Sequence, residues 1–285
     1  MKTRTIVSLL TLSMVLLAVA NVLWGSLSIP VADVWKILRA GEVDGHPAWS
    51  IIVMQGRIPQ MLTALLTGSA LGTCGLLLQT AFRNPLAGPS ILGIDSGANL
   101  GVAIVLLMLG GTVSLGSLTL GGHLLVVLAA MVGSLSIMAL LMLLSQLLRS
   151  QVMLLITGVI ISYVTGSIIQ LLTYSATEQG VHSFVIWGMG NFASVGIERL
   201  PVFCALSLLG LFLSLLLIKP LDALLLGDRY AENLGIRIGR VRQMLLLVTG
   251  LLTATTTAFC GPISFIGLAV PLLARLSLGT ARHRI

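Results

Sequence analysis

Long uncharged stretches alternate with short polar segments along this chain. Asp, Glu, Lys and Arg are absent from 5–32, 58–82, 96–148, 150–177, 179–197, 200–218 and 243–274. An α-helix needs about 20 apolar residues to cross roughly 30 Å of hydrocarbon, so 96–148 is long enough for two helices. The last stretch breaks at Gly261–Pro262, because proline stops a helix. The pattern predicts eight membrane spans, at about 5–27, 58–80, 92–110, 123–147, 152–174, 200–218, 242–260 and 263–279.

Composition supports the same interpretation. Hydrophobic residues make up 56% of the 285 residues and charged residues only 9%, whereas soluble domains carry roughly 25% charged residues. So little charge cannot cover a water-facing surface, which excludes a soluble enzyme, a nucleic-acid-binding protein and a disordered chain. We therefore predict an all-α, polytopic membrane protein whose residues 1–285 form one transmembrane domain.

The distribution of basic residues predicts the orientation. With eight spans and a cytoplasmic N-terminus, twelve of the sixteen Lys and Arg residues lie on the cytoplasmic side. Counting 179–197 as a ninth span would leave five there, against the positive-inside rule. We therefore predict that 179–197 is an outward-facing short helix or re-entrant element, around Phe184–Gly190.

A cleavable signal ending near Ala18–Ala20 is the alternative to a retained first span, but the uncharged run continues to Ala32, which favours retention.

Nucleotide, metal and cofactor motifs are missing from the sequence. No GxxxxGK[ST] occurs, so a partner must bind ATP if ATP drives the protein. Cys74, Cys204 and Cys260 lie singly in separate spans, and the four histidines show no ligand spacing. We expect no cofactor and no metal site.

Asp95 is the one candidate charge inside a span; we predict that it caps the third helix, and the alternative is a role in ion-coupled transport.

Glycines recur every four residues on two predicted spans. Gly68 and Gly72 lie on the second, and Gly93, Gly97 and Gly101 on the third. Such faces let helix backbones approach closely in lipid, so we predict helix packing there, with a subunit interface as the second interpretation.

The segment 219–242 is the longest predicted cytoplasmic loop. Its apolar positions fit two short amphipathic helices punctuated by Gly227 and Gly235. Such helices would present an apolar ridge to a protein partner. The alternative is a helix pair that anchors the loop at the lipid headgroups.

Several segments together resemble the FecCD family, the permease subunits of type II ABC importers for iron chelates, haem and cobalamin. The matching segments are Arg57-Ile58-Pro59, GSALGTCGLLLQTAFRNPLAGPSILGIDSGANLG (68–101), LDALLLGDRYAENLGI (221–236) and GPISFIGLAVPLLAR (261–275). The resemblance implies a homodimeric or pseudo-dimeric permease in the bacterial inner membrane, with a pathway at the subunit interface. It also implies a pair of ATPase subunits on the cytoplasmic side and a substrate-binding protein outside, with lipid but no nucleic acid as a further partner.

The resemblance also implies roles for individual residues. The loop would supply the coupling helices that contact the ATPase, through Leu221, Leu224, Leu226, Gly227, Ala231, Leu234 and Gly235. Arg57 would pair with an acidic residue of the binding protein, although the second arginine of that family pattern is Gln60 here. The alternative is that Arg57 anchors the second span at the membrane interface. The remaining motif residues are Arg83, Asn84, Pro85, Gly261, Pro262, Gly267, Pro271 and Arg275.

Two departures from the family pattern qualify this expectation. The usual PHxAR is Pro271-Leu272-Leu273-Ala274-Arg275 here, and the sequence ends at Ile285 where family members continue into two further spans. We therefore expect eight spans of a ten-span fold. The expected function is transport of an iron chelate, either a siderophore or haem, by a subunit that is not itself an enzyme. The alternatives are a cobalamin permease and an ion-coupled secondary carrier.

Overall fold

In a computed structural model, the protein is a bundle of helices, described over residues 3–41, 43, 45–115, 118–148 and 150–279. Four of the basic residues counted for orientation, Lys2, Arg149, Arg282 and Arg284, lie outside these ranges. The helices are α1 (Thr3–Leu23), α2 (Val31–Ala40), α3 (Pro47–Ile51), α4 (Ile58–Ala81), α5 (Ile94–Ala103), α6 (Gly122–Leu147), α7 (Gln151–Ser175), α8 (Glu178–Gly188), α9 (Leu200–Leu215), α10 (Ile218–Leu225), α11 (Asp228–Asn233), α12 (Ile238–Cys260) and α13 (Ile266–Leu278).

Two π-helical segments and one hairpin complete the fold. Ile52–Arg57 joins α3 to α4, so that one helical rod runs from Pro47 to Ala81, and Ile104–Met108 extends α5. The predicted break in 96–148 contains strands β1 (Thr112–Leu115) and β2 (Leu118–Gly121), which pair antiparallel.

Every predicted span coincides with a helix, but the helices differ in length. Five are long and apolar enough to cross a membrane: Arg4–Leu23, Pro47–Ala81, Gly122–Leu147, Val152–Ser175 and Ile238–Cys260. Leu200–Leu215 and Ile218–Leu224 form a sixth candidate that is bent by 48°. Ile94–Met108 and Ile266–Leu278 are shorter apolar helices. At 1.5 Å per residue they reach only about 20 Å, less than the hydrocarbon thickness, so eight full spans remain a prediction.

Helix α12 lies at the centre of the bundle and α1 at its edge. In the most apolar stretch of α12, 78% of the residues are buried, whereas in that of α1 only 6% are. Leu245, Leu246 and Leu252 of α12 are fully buried in the main hydrophobic cluster, together with side chains of α4, α6 and α10. The short helix α5 also packs inside the bundle, with Ile94, Ala98 and Val102 fully buried, whereas α13 buries only Gly267 and Pro271.

Glycines bring neighbouring helices into backbone contact. A Cβ added at Gly97 would lie 2.4 Å from the carbonyl oxygen of Gly133, and one at Gly101 would lie 2.2 Å from that of Ala129, so α5 and α6 meet there. At Gly72 an added Cβ would lie 3.1 Å from the Val270 side chain. Gly68 differs from the prediction, because no atom lies within 4 Å of an added Cβ there.

The stretch 179–197 does not form one long helix. It forms the short helix α8, whose first turn is capped by Thr177, followed by one turn of 3₁₀ helix at Phe192–Ser194. The backbone N–H of Asn191 donates to the carbonyl of Cys260 at 2.7 Å, which ties this segment to the end of α12.

Candidate functional site

Two short helices form a compact elbow between α9 and α12. Helices α10 and α11 meet at Gly227, whose φ of +119° is a backbone conformation that only glycine adopts without strain. Leu226 N–H and Gly227 N–H donate to the carbonyls of Ala223 and Leu224 and close the first helix. The predicted pair of helices punctuated by Gly227 is therefore present, and Gly235 follows the second helix at φ +81°.

One face of the elbow belongs to the core of the permease. Leu221, Leu224 and Ala231 are buried in the main hydrophobic cluster, packed among residues of α4 and α12. The prediction that these three residues contact an ATPase is wrong for this conformation, because no partner can reach side chains already enclosed by their own chain. They anchor the elbow instead.

The opposite face of the elbow is exposed and apolar. Leu226 and Leu234 are 67% and 58% exposed, and Leu225 and Tyr230 lie open beside them. The same segment also exposes four charged residues, Arg229, Glu232, Arg237 and Arg240. Large apolar side chains held outward next to charges are typical of a protein interface. We call Leu225, Leu226, Tyr230 and Leu234 the coupling face.

The motif after α4 holds the elbow in place. Arg83 has a positive φ of 48°, rare for a residue with a side chain. One of its guanidinium nitrogens donates to the carbonyl of Leu224 at 3.0 Å. Asn84 accepts from the N–H of Leu86 at 2.9 Å, which closes the turn that contains Pro85. This hydrogen bond joins α10 to the end of α4.

The second motif fixes α13 against α4. A Cβ added at Gly75 would lie 1.6 Å from the carbonyl oxygen of Gly267, so the two backbones touch. Gln79 donates to the carbonyl of Leu268 at 3.2 Å, and Arg275 donates to Thr80 Oγ1 at 3.3 Å.

The break between α12 and α13 is the third motif site. Gly261 has a φ of +76° and its backbone N–H closes the last turn of α12 on Thr257. Pro262 follows, and its carbonyl would lie 2.8 Å from a Cβ added at Gly190. The extended segment is covered by the chain that follows α8, where Ser194 Oγ donates to the carbonyl of Phe259 at 2.7 Å. Pro271 is buried within α13.

Arg57 does not present its charge to the outside. Its side chain is 5% exposed, and its NH1 group donates to the carbonyls of Val22 and Leu23 at 2.9 Å each. The NH2 group donates to the carbonyl of Leu27. These are the carbonyls that a helix leaves unpaired at its C-terminus and in the turn beyond it. The predicted docking role is not supported, because the guanidinium is committed to the end of α1.

Asp95 lies in the first turn of α5 but is not its cap. Gly93 occupies the N-cap position with φ +76° and no side-chain bond, so that prediction is wrong. The carboxylate of Asp95 instead accepts hydrogen bonds from Ser90 Oγ and Thr257 Oγ1, both at 2.8 Å. It therefore joins the turn before α5 to the far end of α12.

Helix α7 carries a surface that sequence reasoning missed. Only 17% of its most apolar window is buried. Its exposed face includes four polar side chains spaced by four, three and four residues, namely Tyr163, Ser167, Gln170 and Tyr174. Tyr174 is 93% exposed. We call these four residues the polar stripe. Ser167 Oγ donates to the carbonyl of Tyr163 at 3.0 Å. Uncompensated polar groups facing hydrocarbon are costly, so the Gln170 amide and the two tyrosine hydroxyls favour contact with water or with another protein. The i, i+4, i+7 spacing was the available signal.

Within the described residues, no three His, Cys, Asp or Glu side chains gather where they could hold a metal ion. The cysteines in this part of the chain are free, and Cys74 and Cys260 are buried.

Comparison with known proteins agrees with this architecture. A family model described as the FecCD transport family matches residues 12–285. The hemin transport system permease protein HmuU of Yersinia pestis is 33% identical over 282 residues, which cover 99% of this chain and 81% of that protein. The Fe(3+) dicitrate transport system permease protein FecD of Escherichia coli K12 is 34% identical over 281 residues, covering 98% and 82%.

Other relatives have different named substrates. The molybdate import permease MolB of Haemophilus influenzae is 32% identical over 96% of this chain and 80% of its own. The vitamin B12 import permease BtuC of Vibrio cholerae is 33% identical, with 85% of this chain and 73% of its own covered.

A solved structure shares the fold. It is described as an inward-facing conformation of a metal-chelate type ABC transporter, and it matches with a TM-score of 0.82 and 29% identity over 98% of this chain and 83% of that one. The fold is that of an ABC importer permease, a transport subunit rather than an enzyme. The family model, the relatives and this structure together lead to one conclusion: the chain belongs to the FecCD transport family.

Proposed function

We propose that this chain is the permease through which an ABC importer moves an iron chelate, a siderophore complex or haem, across the inner membrane. Family membership is the observation that carries the proposal, together with relatives named for hemin and Fe(3+) dicitrate at 33% and 34% identity. Cobalamin is the second candidate, because a relative named for vitamin B12 import is 33% identical.

The coupling face is the proposed ATPase contact. Its four apolar side chains project outward, while the buried face and Arg83 fix the elbow to the permease. ATP can shift the permease between its inward-open and outward-open states only if the ATPase pair binds one of these states more tightly than the other. A rigid elbow would couple the ATPase to that change, because a displacement of α10 would move α4 with it. In this proposal the coupling face and the N-terminus are cytoplasmic, as the basic residues Arg229, Arg237 and Arg240 around the elbow favour.

The polar stripe is the proposed lining of the pathway. Two copies of the chain would face each other across their α7 helices, so that Tyr163, Ser167, Gln170 and Tyr174 meet water and the passing chelate rather than lipid. No charged residue occurs from 150 to 177. An uncharged lining does not select its cargo by charge, which leaves substrate choice to an extracytoplasmic binding protein.

The test is uptake by proteoliposomes that contain the full chain, its ATPase and its binding protein. ⁵⁵Fe-loaded citrate, a hydroxamate siderophore and haem are compared with labelled cobalamin and molybdate. We expect ATP-dependent accumulation of at least one iron chelate, and no accumulation of cobalamin or molybdate. Accumulation of cobalamin or molybdate alone would contradict the proposed substrate. Uptake that ignores ATP but collapses with an uncoupler would identify an ion-coupled carrier instead.

A further inference from the structure

Helix α2 has more apolar surface than the protein covers. At about 100° per residue, its apolar side chains form one continuous arc around the helix. Val34 and Ile37 occupy one half of that arc and are fully buried, against Ile29 and Val53. The other half consists of Val31, Trp35 and Leu38, which are 61%, 57% and 44% exposed. One half of the apolar arc therefore packs on the protein while the adjoining half is open.

Basic residues border the open half of the arc. The Arg39 guanidinium lies 4.9 Å from the centroid of the Trp35 ring, at the edge of the arc. Lys36 comes next around the helix and is paired with Asp33 at 3.1 Å. Arg39 is exposed and has no carboxylate within salt-bridge distance among the described residues. Around the helix, aliphatic side chains are thus followed by an aromatic one and then by cations. A membrane favours side chains in the same order from its hydrocarbon to its phosphate groups.

The chain that leads from α1 to the open half also exposes apolar side chains. Helix α1 has 21 residues, about 30 Å, and is almost entirely exposed and apolar. Trp24 follows its last residue and is 76% exposed, and Leu27 is exposed three residues later. Because the Arg57 guanidinium binds carbonyls on both sides of this turn, the turn is fixed and α2 is held at the level where α1 leaves the hydrocarbon.

We propose that α2 lies in the membrane interface, with Val31, Trp35 and Leu38 in the acyl-chain boundary and Arg39 bound to the phosphate of an anionic phospholipid. The occupant is lipid rather than protein because the patch follows a helix of membrane-spanning length and a linker that exposes Trp24 and Leu27, and because Arg39 lies at its polar edge. The proposed lipid site does not depend on which substrate the importer carries. The lipid belongs to the leaflet in which α1 ends, and this is the outer leaflet if the N-terminus is cytoplasmic.

The depth of the helix can be measured with nitroxide labels. The full chain, with Cys74, Cys204 and Cys260 replaced by alanine, is labelled at Leu38→Cys or at Ala40→Cys and placed in nanodiscs of phosphatidylcholine and phosphatidylglycerol. Ala40 is exposed on the opposite side of the same helix and is the matched control. We expect the label at 38 to collide several-fold more with oxygen than with a water-soluble nickel chelate, and the label at 40 to show the reverse.

Equal exposure of both labels to the nickel chelate would overturn the proposal. So would protection of position 38 that requires the soluble binding protein, since the patch would then be a protein interface.

The phosphate contact is tested without relying on those variants. Phosphatidylglycerol retained by the purified protein is measured by native mass spectrometry for the wild type, Arg39→Gln, Arg39→Lys and Lys36→Gln. We expect Arg39→Gln to retain several-fold less lipid and Arg39→Lys to restore part of it. Lys36→Gln should have a smaller effect, because Lys36 is already paired with Asp33. Retention that is equal in Arg39→Gln and the wild type, or equal losses in Arg39→Gln and Lys36→Gln, would refute a specific phosphate site at Arg39.

Discussion

Arg57 illustrates how one residue type serves two different purposes at the end of a membrane helix. An arginine beside a span can point outward and pair with a partner, or turn back and bind carbonyls that the preceding helix leaves free. The sequence around Arg57 fits both uses, since both need a basic residue at the boundary. The choice depends on Val22, Leu23 and Leu27, which are 30 or more positions away along the chain.

We predict that Arg57→Gln destabilises the permease. Removing a charged donor from buried carbonyls typically costs about 1.5–3 kcal/mol per hydrogen bond. The melting temperature in detergent should fall, and limited proteolysis should cut first between α1 and α2. Arg199→Gln is the comparison, because Arg199 lies at the start of another span and its side chain donates to no carbonyl in the described part of the chain. A variant that melts like the wild type but loses affinity for a binding protein would restore the docking interpretation.

Gly75 shows the same limit for glycines. The four-residue spacing drew attention to Gly68 and Gly72, whereas among the glycines of α4 the closest approach to another helix is at Gly75. Spacing identifies a helix face that is able to pack closely, but the partner, here Gly267 in α13, decides which glycine on it is used.

We predict that Gly75→Ala separates α4 from α13 and lowers stability by about 1–3 kcal/mol, the usual cost of inserting a methyl group into a filled interface. The measurement is thermal unfolding in detergent, followed by fluorescence. Gly68→Ala is the matched control on the same helix, because its added methyl group meets open space. Equal melting temperatures for the two variants would show that the helices adjust freely.

At the scale of elements, the elbow was predictable as structure but not as a surface. The apolar periodicity and two glycines indicated α10 and α11. The same apolar periodicity includes Leu221 and Leu224, which are buried, and Leu225 and Leu234, which are exposed. A short helix between protein and solvent has apolar residues on both sides, so its pattern cannot say which side meets the partner.

We predict that Leu234→Asp abolishes ATP-driven uptake while leaving expression and melting temperature close to those of the wild type. A charge on the coupling face disrupts an apolar contact, yet costs the isolated permease little because the side chain is already in solvent. Leu226→Asp should behave alike. Co-purification with the ATPase and uptake in proteoliposomes are the two measurements.

Arg229→Gln, beside the coupling face, is the control and should lower uptake several-fold at most. Leu224→Asp should instead fail at folding, since its side chain is enclosed. If Leu234→Asp binds the ATPase and transports normally, the partner contacts another surface.

At the scale of the whole molecule, α7 raises a question that the single chain leaves open. Gln170 and the tyrosines of its polar stripe are unfavourable on a purely lipid-facing helix, and its exposed apolar positions are unfavourable in water on every side. A second copy of the chain across a water-filled pathway meets both requirements.

We predict that a cysteine at Gln170 reacts with a membrane-impermeant maleimide, whereas a cysteine at Leu208 of α9 does not. Leu208 is 55% exposed and apolar, so it serves as the lipid-facing control. Labelling at 170 should be at least tenfold faster than at 208 in intact proteoliposomes. In addition, oxidation of Tyr174→Cys should produce a disulfide-linked dimer. Equal, slow labelling at both positions would place the stripe in lipid or in a dry interface.

The sequence by itself determined the class of protein, the positions of the apolar helices, the elbow and the family. These follow from hydropathy and local periodicity, which act over a few residues and need no knowledge of what lies opposite. Tertiary structure alone decided that Arg57 caps α1, that Asp95 joins α5 to α12, and that half of the elbow is core. It also showed that the helices at the third and eighth predicted spans, Ile94–Met108 and Ile266–Leu278, are shorter than the other apolar helices. Each of these depends on contacts between residues distant in the chain, and local pattern carries no information about which distant surface will cover a given face.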